Sequence, residues 1–180
     1  GTGWGAGFLG AGVGVTIASG SSSGVGFATI TSSASIRFAS DSALYTSTNR
    51  VPNDDTAPVP GGEGFQVLWL SITPGAVGNT LFIDGNVGVA SSAINKLIGW
   101  LGSGATGSTN IGSTGIRVEA ATVDHIYIFS SRTVTSAASQ SYSLHVGQTS
   151  AGTMSFNGEG GAALYGRTMT TWLRIREFTV

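Results

Sequence analysis

The chain has 180 residues, of which 9% are charged, and eight Lys and Arg against nine Asp and Glu leave a net charge of −1. An average soluble protein carries roughly 25% charged residues. Without a basic cluster to meet phosphates, nucleic acid is excluded as a direct ligand, and with no cysteine there is neither a disulfide framework nor a thiolate metal site. The length suits one domain with its own core, preceded by a short extra segment. No run reaches the ~18 apolar residues of a membrane helix, so no membrane partner is expected, and a start lacking Met and a basic leader does not read as a signal peptide. A hydroxyl-rich surface of low charge is buried between subunits at small desolvation cost, which makes oligomerisation the first expectation.

Residues 1–26 are rich in Gly and Ser with isolated Trp4, Phe8 and Leu9. Interior glycine disfavours a helix here, so the segment reads as an extended arm, or as a strand packed closely on another chain. We place residues 1–30 as an arm or connector and 31–180 as the main domain. Gly5-Ala6-Gly7-Phe8-Leu9-Gly10 has the spacing of a pyrophosphate loop, but no hydrophobic strand precedes it and no acidic residue follows near position 30. Gly20-Ser21-Ser22-Ser23-Gly24 has the spacing of a hydrolase elbow without a readable strand-to-helix turn. Both strings are what low-complexity sequence produces by composition.

From Ala34 onward, short β-branched and aromatic runs alternate with turn residues, the pattern of a sandwich or barrel. Pro52-Asn53-Asp54-Asp55 and Pro58-Val59-Pro60-Gly61-Gly62 are turns, and the paired acids of the first read as turn chemistry rather than a calcium site. In Phe65–Ile72, period two puts Leu68, Leu70 and Ile72 on one face and Phe65, Val67 and Trp69 on the other, so both faces require cover. Leu81, Ile83, Val87 and Val89 continue with the same period. Ile94, Leu97, Ile98 and Leu101 predict a short helix over Ser91–Leu101, and Gly102–Gly115 reads as a long loop.

Ile126 and Ile128 alternate with His125, Tyr127 and Phe129; Tyr142, Leu144 and Val146 alternate with Ser143 and His145. The two histidines form neither a triad nor a metal pair on this reading. Asp124 adjoins His125, but neighbours on a strand point to opposite faces, so the acid does not orient the ring. No acid pair has the separation that glycoside hydrolysis requires. Catalytic residues, cofactors and metals are accordingly not expected, and the candidate ligand or partner contacts are Trp4, Trp100, His125 and His145, with the tryptophans in Gly-rich or loop settings where a ring can stack on a sugar or fill a pocket. Asn157-Gly158 is a turn. In the closing strand, Leu173 and Ile175 are expected inside and Trp172, Arg174, Arg176 and Phe178 outside, with Glu177, Glu159 or solvent compensating the arginines and at least one of them paired with an acid, across a subunit boundary or within the chain.

Residues 51–180 carry blocks in a telling order: Asp55-Thr56, Pro58 and Glu63-Gly64; Leu70-Ser71-Ile72-Thr73-Pro74; Asn79-Thr80-Leu81-Phe82-Ile83-Asp84; Thr153-Met154-Ser155-Phe156-Asn157-Gly158-Glu159-Gly160-Gly161; then Gly166 and Leu173-Arg174-Ile175-Arg176-Glu177. This layout resembles the C-terminal domains of tailed-bacteriophage fibres and spikes with a tumour necrosis factor-like jelly roll. The resemblance implies an all-β antiparallel jelly-roll sandwich, a homotrimer and a place on the virion surface, and it implies no catalytic residue. The expected function is a non-enzymatic virion structural protein, a fibre or spike end domain that meets a host-surface glycan or protein, with the arm joined to other virion proteins. The alternative is a capsid or tail decoration or connector protein with a purely structural role.

Overall fold

A computed structural model describes residues 15–22, 25–32, 35–54, 56–58, 63–104, 109–164 and 169–179, the first two segments by their backbone. Trp4 and the Gly5–Gly10 string lie outside the described residues. Strands β1 (Val15–Ser22) and β2 (Val25–Ser32) pair antiparallel as a separate two-stranded ladder, from Val15 opposite Ser32 to Ser22 opposite Val25. The Gly20–Ser22 string therefore leads from strand to strand, where a nucleophile elbow requires a helix.

The remaining strands are β3 (Ile36–Asp41), β4 (Tyr45–Ser47), β5 (Phe65–Ile72), β6 (Thr80–Ser91), β7 (Asn95–Ser103), β8 (Thr109–Val118), β9 (Val123–Thr133), β10 (Gln140–Gln148), β11 (Met154–Phe156), β12 (Gly158–Glu159), β13 (Ala162–Ala163) and β14 (Thr171–Phe178). One sheet has four strands in the order β5-β10-β7-β8. The other has six, β3-β14-β6-β11-β4, with β9 on the free edge of β6. Setting aside the short β4 and β11, the eight long strands fall as first, eighth, third and sixth on one sheet and second, seventh, fourth and fifth on the other. Every pair is antiparallel. This is the jelly-roll order, and the chain is an all-β jelly-roll sandwich.

The core follows the period-two expectation. Leu81, Ile83, Val87 and Val89 of β6, Ile126 and Ile128 of β9, and Leu173 and Ile175 of β14 face Leu144 and Val146 of β10 and Leu97 and Leu101 of β7, all essentially without solvent contact. Gly99, inward on β7, lets the sheets approach: a Cβ there would stand 2.6 Å from Ile126 Cγ2.

Two expectations are corrected here. Ser91–Leu101 is not helical; the chain turns at Ser92–Ile94 and continues as β7, because Leu97, Gly99 and Leu101 alternate into the core while Lys96 stays outside, and tertiary burial overrides a single turn of helical spacing. The loop expected over Gly102–Gly115 is mostly strand, since β8 begins at Thr109 and pairs with β7 as far as Val118 opposite Asn95.

A bulge also alters β5. Leu144 of β10 pairs with Leu68 and the next residue, His145, with Gln66, so Val67 is the extra residue. The slip moves Phe65 to the core side, where its ring stacks on buried Phe156 at 5.4 Å, and leaves Trp69 exposed.

Candidate functional site: the open face of the six-stranded sheet

Ladder register places three rows on the outer side of β3, β14, β6 and β9. They are Ile36–Arg176–Phe82–Ser131, Phe38–Arg174–Asp84–Phe129 and Ser40–Trp172–Asn86–Tyr127. Strands β14, β6 and β9 send their alternate residues into the core, so these are the positions left over, and many of them are aromatic. Phe82 meets Phe129 at 5.7 Å and Phe178 edge-on at 5.1 Å; Trp172 meets Tyr127 at 6.0 Å and Phe38 at 6.4 Å. Ile36, Phe38, Tyr127 and Phe129 nevertheless keep half or more of their surface in solvent. Scattered exposed apolar residues need no explanation, whereas a contiguous patch marks a surface that something covers.

At the centre sits Asp84, whose side chain is wholly covered. Its carboxylate accepts from Arg174 Nε at 3.1 Å and Nη2 at 2.6 Å and from the Tyr127 hydroxyl at 3.2 Å, with Arg176 Nη2 at 3.7 Å. The paired hydrogen bonds hold the Arg174 guanidinium charged, raising its pKa, and its carbon lies 5.3 Å from the centre of the Trp172 ring. Burial, with the Asp84 charge behind it, pushes the Tyr127 phenol up. Arg176 Nε is buried without a hydrogen-bond partner. The acid that pairs with the two arginines is thus Asp84, across the ladder, in place of the expected Glu159 or Glu177; Glu177 is buried and accepts from the Gly75 amide and Asn79 Nδ2. What the arrangement does chemically is neutralise one of the two arginine charges on an aromatic surface.

Among the sequence-derived contacts, His125 lies on this face, exposed, with Nδ1 3.2 Å from Asn86 Nδ2. Asp124 accepts from the His125 backbone amide at 2.7 Å instead of orienting its ring. Trp100 and His145 lie elsewhere, and Trp100 is on strand β7, not in a loop. The two are register partners on the outer side of the four-stranded sheet, stacked at 5.0 Å and almost completely buried. The chain between β4 and β5 covers them: the Val51 amide donates to Gln148 O, the Gly64 amide to Arg50 O, and Asn49 Nδ2 to Gly64 O. Gly64, at φ 66°, is required at this crossing, since a Cβ would stand 2.0 Å from Trp100 Cη2. Under this strap His145 Nε2 pairs with Ser143 Oγ at 2.9 Å, and burial lowers the imidazole pKa to about 4.

Of the residues that build the open face, sequence reasoning singled out His125 as a contact and placed Trp172, Arg174 and Arg176 outward, but it missed the aromatic cluster and Asp84. Tyr127 and Phe129 carried a legible signal in their alternation with Ile126 and Ile128. Asp84 carried none, because its role depends on Arg174 being its neighbour across 90 residues.

No family model and no curated protein matches the chain. Solved structures that resemble it are distant. A CBM4 structure is 13% identical over 81% of this chain and 75% of its own, with a TM-score of 0.38. The T13 viral particle of infectious bursal disease virus gives 11% identity and a TM-score of 0.41 over 88% of this chain. The VP2 subviral particle of the same virus gives 10% and 0.38 over 92%. The chain spans 38% and 43% of the length of those two viral chains. The fold assignment rests on the strand order itself.

Proposed function

We propose that the chain is a non-enzymatic structural module of a viral particle, the trimeric end domain of a tailed-bacteriophage fibre or surface spike, exposed on the virion and contributing to host-surface attachment. The observation that carries this reading is the open aromatic face. Burying it against two further copies removes apolar surface from water at about 25 cal/mol per Å², and Asp84 has already neutralised one of the two arginine charges that such burial would desolvate. A closed symmetric assembly covers the same face on every copy. The low overall charge favours the same outcome, and the family resemblance of residues 51–180 supplies the virion setting.

Sedimentation of the isolated chain tests the reading. A species near three times 18.1 kDa is expected, and Phe129→Asp combined with Tyr127→Asp should yield a folded monomer, since neither ring lies in the core. A wild-type chain that stays monomeric at micromolar concentration overturns it.

A further inference from the structure

The inward row of β9 runs Ile126, Ile128, Ser130 and then Arg132, and the inward row of β10 begins at Tyr142. Arg132 therefore continues a core-facing row past the end of the core, to an exposed place at the mouth between the two sheets. It makes no ion pair among the described residues. The mouth is a cleft of about 440 Å³ lined by Arg132, Tyr142 and Gln140 together with Thr133, Thr135 and Ser139.

The polar groups of this cleft are held in place. The Tyr142 hydroxyl donates to Gln140 Oε1 at 2.8 Å, and Gln140 Nε2 donates to the Ser136 carbonyl at 2.6 Å. Beside the cleft, the Gly104 amide donates to Ser141 O at 2.7 Å and ties the end of β7 to β10. Tyr142 is itself buried, so its ring is fixed by the core while its hydroxyl edges the cleft. The volume is that of a small-ligand pocket, and the lining is more polar than is usual for one, with a single charge among Thr, Ser and Gln side chains.

We propose that this cleft binds one acidic sugar unit, its carboxylate on Arg132 and its hydroxyls on the Thr and Ser rim. A guanidinium with no protein carboxylate matches a single carboxylate in fork geometry. Hydroxyls that both donate and accept match a polyol, which presents donors and acceptors in no fixed order. A peptide ligand would want apolar pockets for side chains, and the cleft offers mainly hydroxyls. The site goes beyond the assembly reading and does not depend on it, because Arg132 lies on the opposite side of β9 from Tyr127 and Phe129.

Titration of the full chain with N-acetylneuraminic acid, galactose, and sodium sulfate, followed by NMR line shifts, tests the proposal. N-acetylneuraminic acid is expected to bind, more weakly as salt is raised; galactose and sulfate are expected to bind at least tenfold more weakly. Arg132→Ala, an exposed position whose loss should leave the thermal melt unchanged, is expected to weaken the acidic sugar at least tenfold, and Thr135→Val to weaken it less. Absence of binding, or binding untouched by Arg132→Ala, overturns the site. Sulfate binding as tightly as the sugar overturns the ligand class, since the hydroxyl rim would then contribute nothing. Each of these results is independent of whether the chain sediments as a trimer.

Discussion

The outer side of β7 and β10 carries Trp100, Ser143 and His145, and the chain folds Asn49–Val51 and Gly64 back over them until all three are buried. The outer side of β14, β6 and β9 carries Trp172, Phe82, Tyr127 and Phe129, and there half of the surface of the last two rings remains in water. Both faces are aromatic with polar groups between the rings. The difference lies in where cover comes from: a loop of the same chain on one, and on our reading other copies on the other. Outward aromatic residues on a jelly roll therefore carry no functional meaning until the loops are placed, and it is the uncovered set that marks the working surface.

The covered face gives the largest expected effect. Trp100→Ala removes a fully buried ring and should cost about 3 to 5 kcal/mol of unfolding free energy in a denaturant melt. Gly64→Ala should cost about 1 to 3 kcal/mol by forcing a side chain into the same ring from a left-handed backbone. If both variants melt like the wild type, the strap does not seal that face and the contrast between the two sheets fails.

How much of this was legible beforehand depends on whether the signal was local. Leu173 and Ile175 inward, and Ile126 and Ile128 inward, follow from period two alone and are as expected. The sequence predicts a helix over Ser91–Leu101 because Ile94 and Ile98 supply helical spacing, yet Ile94 ends up exposed in a turn and only Leu97 and Leu101, four apart and so equally consistent with a strand, enter the core. The site was harder. Trp100 beside Gly99 and Gly102 resembles a loop aromatic, and nothing near it in sequence announces that Gly64 will lie on top of it. Asp84 sits at an outward position within the period-two run Leu81–Val89, and only the register Arg174 opposite Asp84 makes it the partner of the arginines on the open face. Period is written locally; register and cover are not.

A pH titration of stability sharpens the same contrast at a smaller scale. His145 under the strap has its pKa lowered by burial from 6.5 to about 4, so the folded chain keeps the imidazole neutral where the unfolded chain protonates it. Above about pH 6.5 both states are neutral and this group contributes no slope. As pH falls from 6.5 towards 4 the unfolded state gains a proton that the folded state refuses, and stability should drop by up to about 3 kcal/mol, levelling off once the folded state also protonates. Comparing wild type with His145→Gln isolates the contribution. Equal slopes in the two proteins over that window would mean that the imidazole is hydrated, and that the strap opens readily in solution.

The smallest expected effect concerns Trp69. By period two it belongs to the outer side of the four-stranded sheet, and the sequence alone suggests that it packs on a neighbouring sheet or subunit. In the structure it stands opposite Ser143 of β10 and remains 56% exposed, outside the cover that buries Trp100. If the six-stranded face is the one that meets other copies, Trp69→Ser should change unfolding free energy by no more than about 0.5 kcal/mol, as surface substitutions usually do, and leave the sedimenting species unchanged. Phe129→Asp with Tyr127→Asp should do the reverse, leaving the monomer fold intact and dissolving the assembly. The pair of experiments places the interface on one sheet or the other. An assembly that survives the aspartates and falls apart with Trp69→Ser would put the subunit contact on the four-stranded side, with Trp69 as its anchor, and would leave the Asp84-centred aromatic face free for a partner of another kind.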